Sequence, residues 1–453
     1  MRQAALVPPQ IMAFPEEPEL PPRRVADLPG IVSLGMDELF PDVPREIYLR
    51  GDDLSAVRRA ADRTLAGVDL SMIRPDDTIN LLCSEHGFSI LEGGAYAEML
   101  RTIKDVVEAR TGCRNMRLRF CVGGAKWEAR EIVPFYGLDE HFGGRIASCG
   151  PFDRGVPIET EIGTLYGLAK VYDADWIIHA HYDDPRELYF HHLMNRTLKA
   201  FTMSYARLET RSVYHKNFDS RSGNIVPQAI FDSDFVQSRF AFAAFLVTSP
   251  AGVIDIAADN DMQRLNQKLT ANTLKSFGKL IRLFAEIDQC VAALDAGRWP
   301  WYLHAGGLTS GNLFMAPTDH LDLDVCPARN TGLKHVNRAV KVLLLNYSWK
   351  ENMHGLAAFY PLVIAGRRLA EGLTFGAVKR ARIAEDLEEA LALAIEKAGT
   401  DQVIVFDGSY GGINLSPSMS EFLLARAPEV SRRVDEHYLP LWLKQRGIDP
   451  ATV

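Results

Sequence analysis

Short apolar runs alternate with stretches of helical period along most of this chain. The run TINLLCS reads as a strand ending in a glycine-containing turn, and GAYAEMLRTIKDVVEAR behind it carries apolar residues at helical spacing. MRLRFCVGG predicts a strand that runs into glycines, WEAREIVPFYG a short helix, and DADWIIHAHY another strand with an aromatic and histidine end. After FAAFLVTSPAGVIDIAADND, the stretch DMQRLNQKLTANTLKSFGKLIRLFAEIDQCVAALDAG predicts one long polar helix, followed by a Gly-, Pro- and Trp-rich segment from Arg298 to Pro327. Beyond it, GLKHVNRAVKVLLLNY and EDLEEALALAIEKAG predict helices and QVIVFDGSYGGINL a strand. Such alternation predicts an α/β fold, with mainly parallel sheets covered by helices and ligands held beyond the carboxyl ends of the strands. We expect an extended arm over residues 1–35, one α/β domain over 36–262, a second over 263–453, and the active site in the cleft between them.

Candidate chemistry is therefore sought just after the strands. Glu85 and His86 follow the first, an acid and a histidine able to orient a substrate hydroxyl or simply to sit solvated in a turn. Gly123 and Gly124 end the second, where a bare backbone lets a ligand approach, with Lys126 pointing into the same space. His179 and His181 alternate on the third and face one side, a pattern that suits metal ligation or exposure at a strand end. The stretch ELYFHHLMNRTLKAFTMSYARLETRSVYHKNF places Lys199 near Tyr189, His191 and His192, and His215 a few helical turns on; an amphipathic helix with a decorated polar face is the plain alternative.

Composition narrows the classes. A length of 453 residues, 47% apolar and 24% charged, is that of a globular protein with more than one domain. A formal net charge of -8 argues against a nucleic-acid partner, whose phosphates call for basic excess. The six cysteines hold no CxxC pair, so neither a zinc site nor a disulfide framework is indicated, and a cytoplasmic setting fits. No apolar run reaches membrane-spanning length, and the proline- and glutamate-rich start is unlike a signal peptide. No HExxH, Walker loop or GxGxxG occurs.

Taken in order, these strand ends resemble the lactate racemase family that uses the nickel pincer nucleotide, a pyridinium mononucleotide carrying nickel. The resemblance runs from about Leu81 to Leu415. CSEHGFS is similar to the family's Ser-Asp-His-Thr-Arg-Pro turn, and CVGGAKWEAREIVPFYG to its Thr-Gly-Phe-His-Arg-Pro turn and following helix. With Glu187 laid on the family's Glu-Ala-His-Phe-Phe, Lys199 falls on the lysine that bonds covalently to the cofactor. His215 follows by 215 − 199 = 16 residues, the family's distance to the nickel-ligating histidine. VNRAVK resembles the helix that would make Arg338 and Lys341 substrate-binding residues of the second domain.

The resemblance implies a racemase or epimerase of a 2-hydroxy acid, lactate-like, a sugar acid or an aromatic hydroxy acid. Its implied site has Lys126, Tyr189, Glu85 and His86 as catalytic residues, Lys199, Gly123 and Gly124 at the cofactor and His215 on the metal. It also implies cofactor-biosynthesis enzymes as partners, and homo-oligomerisation stays open. Where the family has two acid/base histidines this chain has Lys126 and Tyr189, whose ordinary pKa values near 10 would have to come down at a cost on the order of 4 kcal/mol each. An alternative keeps Lys126 as a clamp for a carboxylate or phosphate, with His181 or His191 moving the proton. Two further readings stand beside the first: a cofactor-free relative that transforms a hydroxy acid by acid/base chemistry alone, and a ligand-binding protein without turnover.

Overall fold

The computed structural model describes residues 23–89, 91–122, 127–189, 192–216, 224–295, 313, 319–325, 337–346, 360–371, 379–407 and 409–452. The chain enters with β1 (Val32–Gly35) and then builds a six-stranded sheet from β2 (Ile79–Ser84), β3 (Met116–Cys121), β4 (Ile146–Cys149), β7 (Trp176–Tyr182), β8 (Phe240–Ser249) and β9 (Gly252–Asp259). Between β4 and β7 a separate hairpin is formed by β5 (Gly155–Thr160) and β6 (Gly163–Leu168). The sheet order is β4-β3-β2-β7-β8-β9, parallel throughout except for β9, which folds back on β8.

Side chains of β2 alternate between two cores, as the pleat requires. Ile79, Leu81 and Cys83 pack with Ala95, Met99, Leu100 and Ile103 of the helix α2 (Gly94–Thr111), which lies beside α1 (Ser55–Leu65). Leu82 turns to the other face, towards Phe201, Tyr205 and Leu265. Both faces are covered, so the strand reads as one apolar run rather than an alternation. On the far side of β3, α3 (Trp127–Phe135) closes the first core with Ile132 and Val133, and α4 (Leu208–Lys216) and α5 (Ile225–Phe231) cover the second face with Tyr214 and Ile230.

The second sheet runs β1-β15-β14-β10-β11-β12-β13, with β10 (Cys290–Leu294), β11 (Val340–Leu345), β12 (Leu362–Ala365), β13 (Arg382–Ala384) and β14 (Val403–Phe406) parallel. The last strand, β15 (Gly412–Leu415), is antiparallel to β14 and to β1, so the stretch expected as an arm contributes an edge strand through Val32–Gly35. Between the sheets runs α6 (Met262–Phe284), capped by Asp261, whose carboxylate accepts from Gln263 N–H and Arg264 N–H. Met262, Leu265 and Leu269 pack in the first sheet's core and Leu274, Phe277, Leu280 and Ile281 in the second's. Each buried leucine there contributes roughly 1.5–3 kcal/mol. The helices α7 (Leu387–Ala398) and α8 (Pro417–Arg433) cover opposite faces of the second sheet.

The α/β fold class is as expected; three element assignments are not, and the first of them is QVIVFDGSYGGINL, which holds the antiparallel strands β14 and β15 where one strand was expected. GLKHVNRAVKVLLLNY holds β11 where a helix was expected, because VKVLLL is a central parallel strand buried on both faces, a pattern that periodicity alone does not separate from a helix. The long helix stops at Phe284, and CVAAL is β10, again with no exposed residue. No helix among the described residues is long and apolar enough to cross a membrane.

Each sheet has one switch point, where the chain leaves in one direction and later returns to the opposite side: between β2 and β7 in the first, between β10 and β14 in the second. Crevices beyond the carboxyl ends of such strands are the usual ligand sites of open α/β sheets.

Candidate functional site

At the first switch point lies a pocket of about 670 Å³ walled by His86, His181, Asp184, Glu187, Lys199 and Phe245 among others. It forms because the stretch after β7 is not one helix. Asp183 and Asp184 leave β7, Arg186–Tyr189 makes one helical turn, and His192 takes φ 54°, a left-handed conformation uncommon for a residue with a side chain. The reversal lets Leu193 N–H donate to the Glu187 carbonyl at 2.7 Å. A 3-10 turn, Arg196–Leu198, then runs into the short helix Lys199–Thr202.

Arg196 anchors that turn. Its buried guanidinium is paired with the buried Asp183 carboxylate, donates to the Asp184 carbonyl at 3.2 Å, and reaches Thr270 and Thr273 of α6 at 3.3 and 3.1 Å. Asp183 also accepts from the Thr273 hydroxyl at 2.7 Å. Burial pushes the Asp183 carboxyl above its ordinary range, against the pull of Arg196. Three residues on, Lys199 reaches into the pocket and pairs with Glu187, whose residue exposure is 4% against 20% for the lysine side chain.

The two β7 histidines separate in role. His179 is fully buried; its Nε2–H donates to the Thr197 carbonyl at 3.1 Å, so Nδ1 takes the Tyr205 hydroxyl proton at 2.6 Å. A carbonyl can only accept, which fixes that tautomer. Burial holds the His179 pKa well below the ordinary histidine value. Both of its nitrogens are used inside the protein, so it is neither a metal ligand nor exposed. His181 lines the pocket with its ring centroid 5.6 Å from that of His179. Its Nδ1–H donates to the Tyr182 carbonyl at 3.0 Å, which leaves the lone pair on Nε2. Burial first, and then the Lys199 charge, lower its pKa, while Asp184 and Glu187 act the other way, so the ring is neutral at neutral pH.

His86 reaches the same pocket from the end of β2, with Nε2 3.9 Å from the buried Glu85 carboxylate. Gly87 permits that turn, because a Cβ there would run into the Tyr96 ring. Behind Glu85 stands Arg211 of α4, a buried guanidinium that donates to the Ala206 and Val122 carbonyls at 3.0 and 3.3 Å and feels the Glu85 charge.

The structure thus brings Glu85, His86, His181, Glu187 and Lys199 together. His215 is exposed near the end of α4; its Nδ1–H donates to the Arg211 carbonyl at 2.7 Å, which puts the lone pair on Nε2, the form that ligates a metal. Tyr189 closes the turn that carries Glu187. Gly123, Gly124, Lys126 and His191 lie outside the described residues. Arg338 and Lys341 stand at the amino end of β11, away from the strand ends that form crevices, and the Lys341 ammonium donates to the Arg338 carbonyl at 2.9 Å. Sequence reasoning took His179 and His181 from HAHYDD but passed over its two aspartates, and with them the Arg196 anchor. Two adjacent acids after a buried strand were the available signal.

Every described wall residue of the pocket falls between His86 and Phe245; the second half of the chain approaches where the His320 ring stacks on His192 at 6.1 Å between centroids. No group of three His, Cys, Asp or Glu side chains able to hold a metal occurs among the described residues. Comparison with models of known protein families gives no match, and comparison with curated protein sequences gives none.

Proposed function

We propose that the pocket at the first switch point is the active site of a racemase or epimerase acting on a 2-hydroxy acid. The observation that carries this is a neutral His181 with its Nε2 lone pair in one pocket with a lysine, beyond the ends of β2 and β7. A hydroxy acid needs a base for its hydroxyl, and the base works best when neutral near pH 7. His181 takes the hydroxyl proton at Nε2 and returns it, and His86, polarised by Glu85 3.9 Å away, is the second proton carrier.

The nickel pincer nucleotide that the resemblance implies would be carried by Lys199 in this pocket, and His215, which is not among the described wall residues, would ligate the nickel through Nε2. That cofactor, when bound, supplies a hydride acceptor for the carbon bearing the hydroxyl. Attachment would remove the Lys199 charge and leave Glu187, 4% exposed, as an acceptor beside it. The Lys199–Glu187 ion pair favours a second reading, in which the lysine stays an ammonium that binds the substrate carboxylate while one histidine takes the proton from the carbon bearing the hydroxyl and the other returns a proton to its opposite face, without a cofactor. Cytoplasmic placement and the cofactor-making enzymes as partners belong to the same proposal; Arg338 and Lys341, at the amino end of β11, do not.

The test is chiral chromatography of single-enantiomer 2-hydroxy acids incubated with protein made with and without the cofactor pathway. Interconversion only after maturation supports the first reading and interconversion by both preparations the second. No interconversion of lactate, sugar acids or aromatic hydroxy acids by either preparation would remove both.

A further inference from the structure

Across the Arg196–Lys199 turn from the active-site pocket is a second cavity, open to solvent. It lies between α5 and the start of α6, and its walls are dominated by carboxamides: Asn195, Gln228, Gln237, Asn260, Gln263 and Asn266. Two aromatic rings, Phe231 and Phe240, supply apolar wall, and Asp232 and Asp261 supply carboxylates. Among the described lining residues there is no lysine, arginine or histidine.

We infer that this cavity binds a neutral polyhydroxylated ligand, a sugar or an oligosaccharide. The reasoning is one of exclusion and then of fit. An anion would meet two carboxylates and no cation. The start of α6 offers it nothing either, since the N–H groups of Gln263 and Arg264 are already taken by Asp261 at 2.9 and 3.0 Å. An apolar ligand would strip water from the exposed Asp232, Gln237, Asp261 and Gln263 without replacing its hydrogen bonds, while the Asn260 and Asn266 amides are already bonded within the protein. A sugar hydroxyl both donates and accepts, and carboxamides offer both functions side by side.

The amides are organised for this. Asn195 Nδ2 donates to Gln228 Oε1 at 2.6 Å, and Gln228 Nε2 donates to Asp232 Oδ2 at 2.6 Å, a relay that ends on a charge and fixes the direction of every amide in it. Each dipole is thereby oriented before a ligand arrives, and Asn195 Oδ1 and Asp232 Oδ1 remain acceptors. Gln237 is held by donation to the Phe231 carbonyl at 2.7 Å. The half-buried Phe240 ring, packed edge-to-face with the buried Phe231 at 5.0 Å between centroids, gives the C–H surface of a sugar ring something to pack on.

The cavity shares a wall with the active site. Thr197 lines both spaces; its N–H and hydroxyl bond to Asn266 Oδ1 at 3.4 and 3.2 Å, and its carbonyl receives His179 Nε2–H. A ligand in the cavity therefore rests against the turn that positions Lys199.

The test is saturation-transfer difference NMR of the full-length protein with glucose, galactose, N-acetylglucosamine and maltotriose, with citrate and calcium chloride as charged probes. The variants are Asp232→Ala and Gln263→Ala, both at exposed positions, and Lys199→Ala as the control that empties the other pocket of its cation. The expected result is millimolar binding of at least one sugar, weakened tenfold or more by Asp232→Ala or Gln263→Ala and unchanged by Lys199→Ala. Absence of sugar binding at 100 mM, loss of binding in Lys199→Ala alone, or preference for citrate or calcium would overturn the assignment. A failure of the isomerase reading leaves these outcomes unaffected, because none of them reads turnover.

Discussion

The two sheets have the same plan and use it differently. Each has a central parallel pair at which the strand order reverses, β2 and β7 in one and β10 and β14 in the other, and each places acids just beyond the ends of those strands. At the first, Asp184 lines a pocket that also holds two histidines and a lysine, and Glu85 lies buried behind His86. At the second, the described acid is held by its own chain. Asp295, fully buried after β10, accepts from the Val25 N–H at 2.7 Å, from Asn346 Nδ2 at 2.7 Å, and pairs with Arg24 at 3.1 Å. Burial raises its pKa even so. Topology thus supplies two candidate crevices, and their described acids have different partners.

Substitutions at the two crevices should break that comparison in unequal ways. The largest expected effect is on turnover: His181→Asn should lower kcat by about 10²–10⁴-fold, the usual worth of a general acid or base, while leaving the melting temperature nearly unchanged. A substitution at Arg24 in the other crevice should leave kcat alone. Next comes stability. Arg196→Met strands the buried Asp183 carboxylate and should cost about 3–5 kcal/mol by urea denaturation. Arg24→Met should cost less, about 1–3 kcal/mol, because the Arg24 side chain is 30% exposed and Val25 and Asn346 still hold Asp295.

The smallest effect is a pH dependence. His179 has its folded pKa well below the unfolded value of about 6.5, so below that pH the unfolded chain binds the proton first. The stability that a neutral His179 contributes is present above about pH 6.5 and is lost as pH falls towards the folded pKa. Melting temperatures from pH 7.5 to 5 should therefore fall, and more shallowly in His179→Gln than in the parent chain. An identical slope in both would remove His179 from the account.

The sequence pattern made the α/β plan legible wherever one residue type dominated a segment. TINLLCS, MRLRFC and WIIHAHY are strands because both of their faces are buried, and helices such as Gly94–Thr111 end where a glycine, Gly112, takes φ 73°. The same reasoning misread VKVLLL and CVAAL, whose unbroken apolar runs fit a buried helix equally well. At the site, Glu85, His86 and Lys199 were legible as polar residues after buried strands. What joins them was not: the left-handed His192 has no sequence signature, and the Arg196–Asp183 pair and its threonine partners on α6 are brought together across 74 to 90 positions. The division of labour between His179 and His181 depends on where Tyr205 and Thr197 fold, which the alternation of two histidines does not encode.

The proposal that Lys199 carries a covalent nickel cofactor in the first crevice is tested most directly by intact mass and nickel analysis of protein co-expressed with the cofactor's biosynthetic enzymes, followed by peptide mapping. The account predicts one adduct per chain on Lys199 with stoichiometric nickel, absent from Lys199→Ala, and nickel lost from His215→Ala while that chain stays folded. An unmodified Lys199 after such co-expression would contradict it.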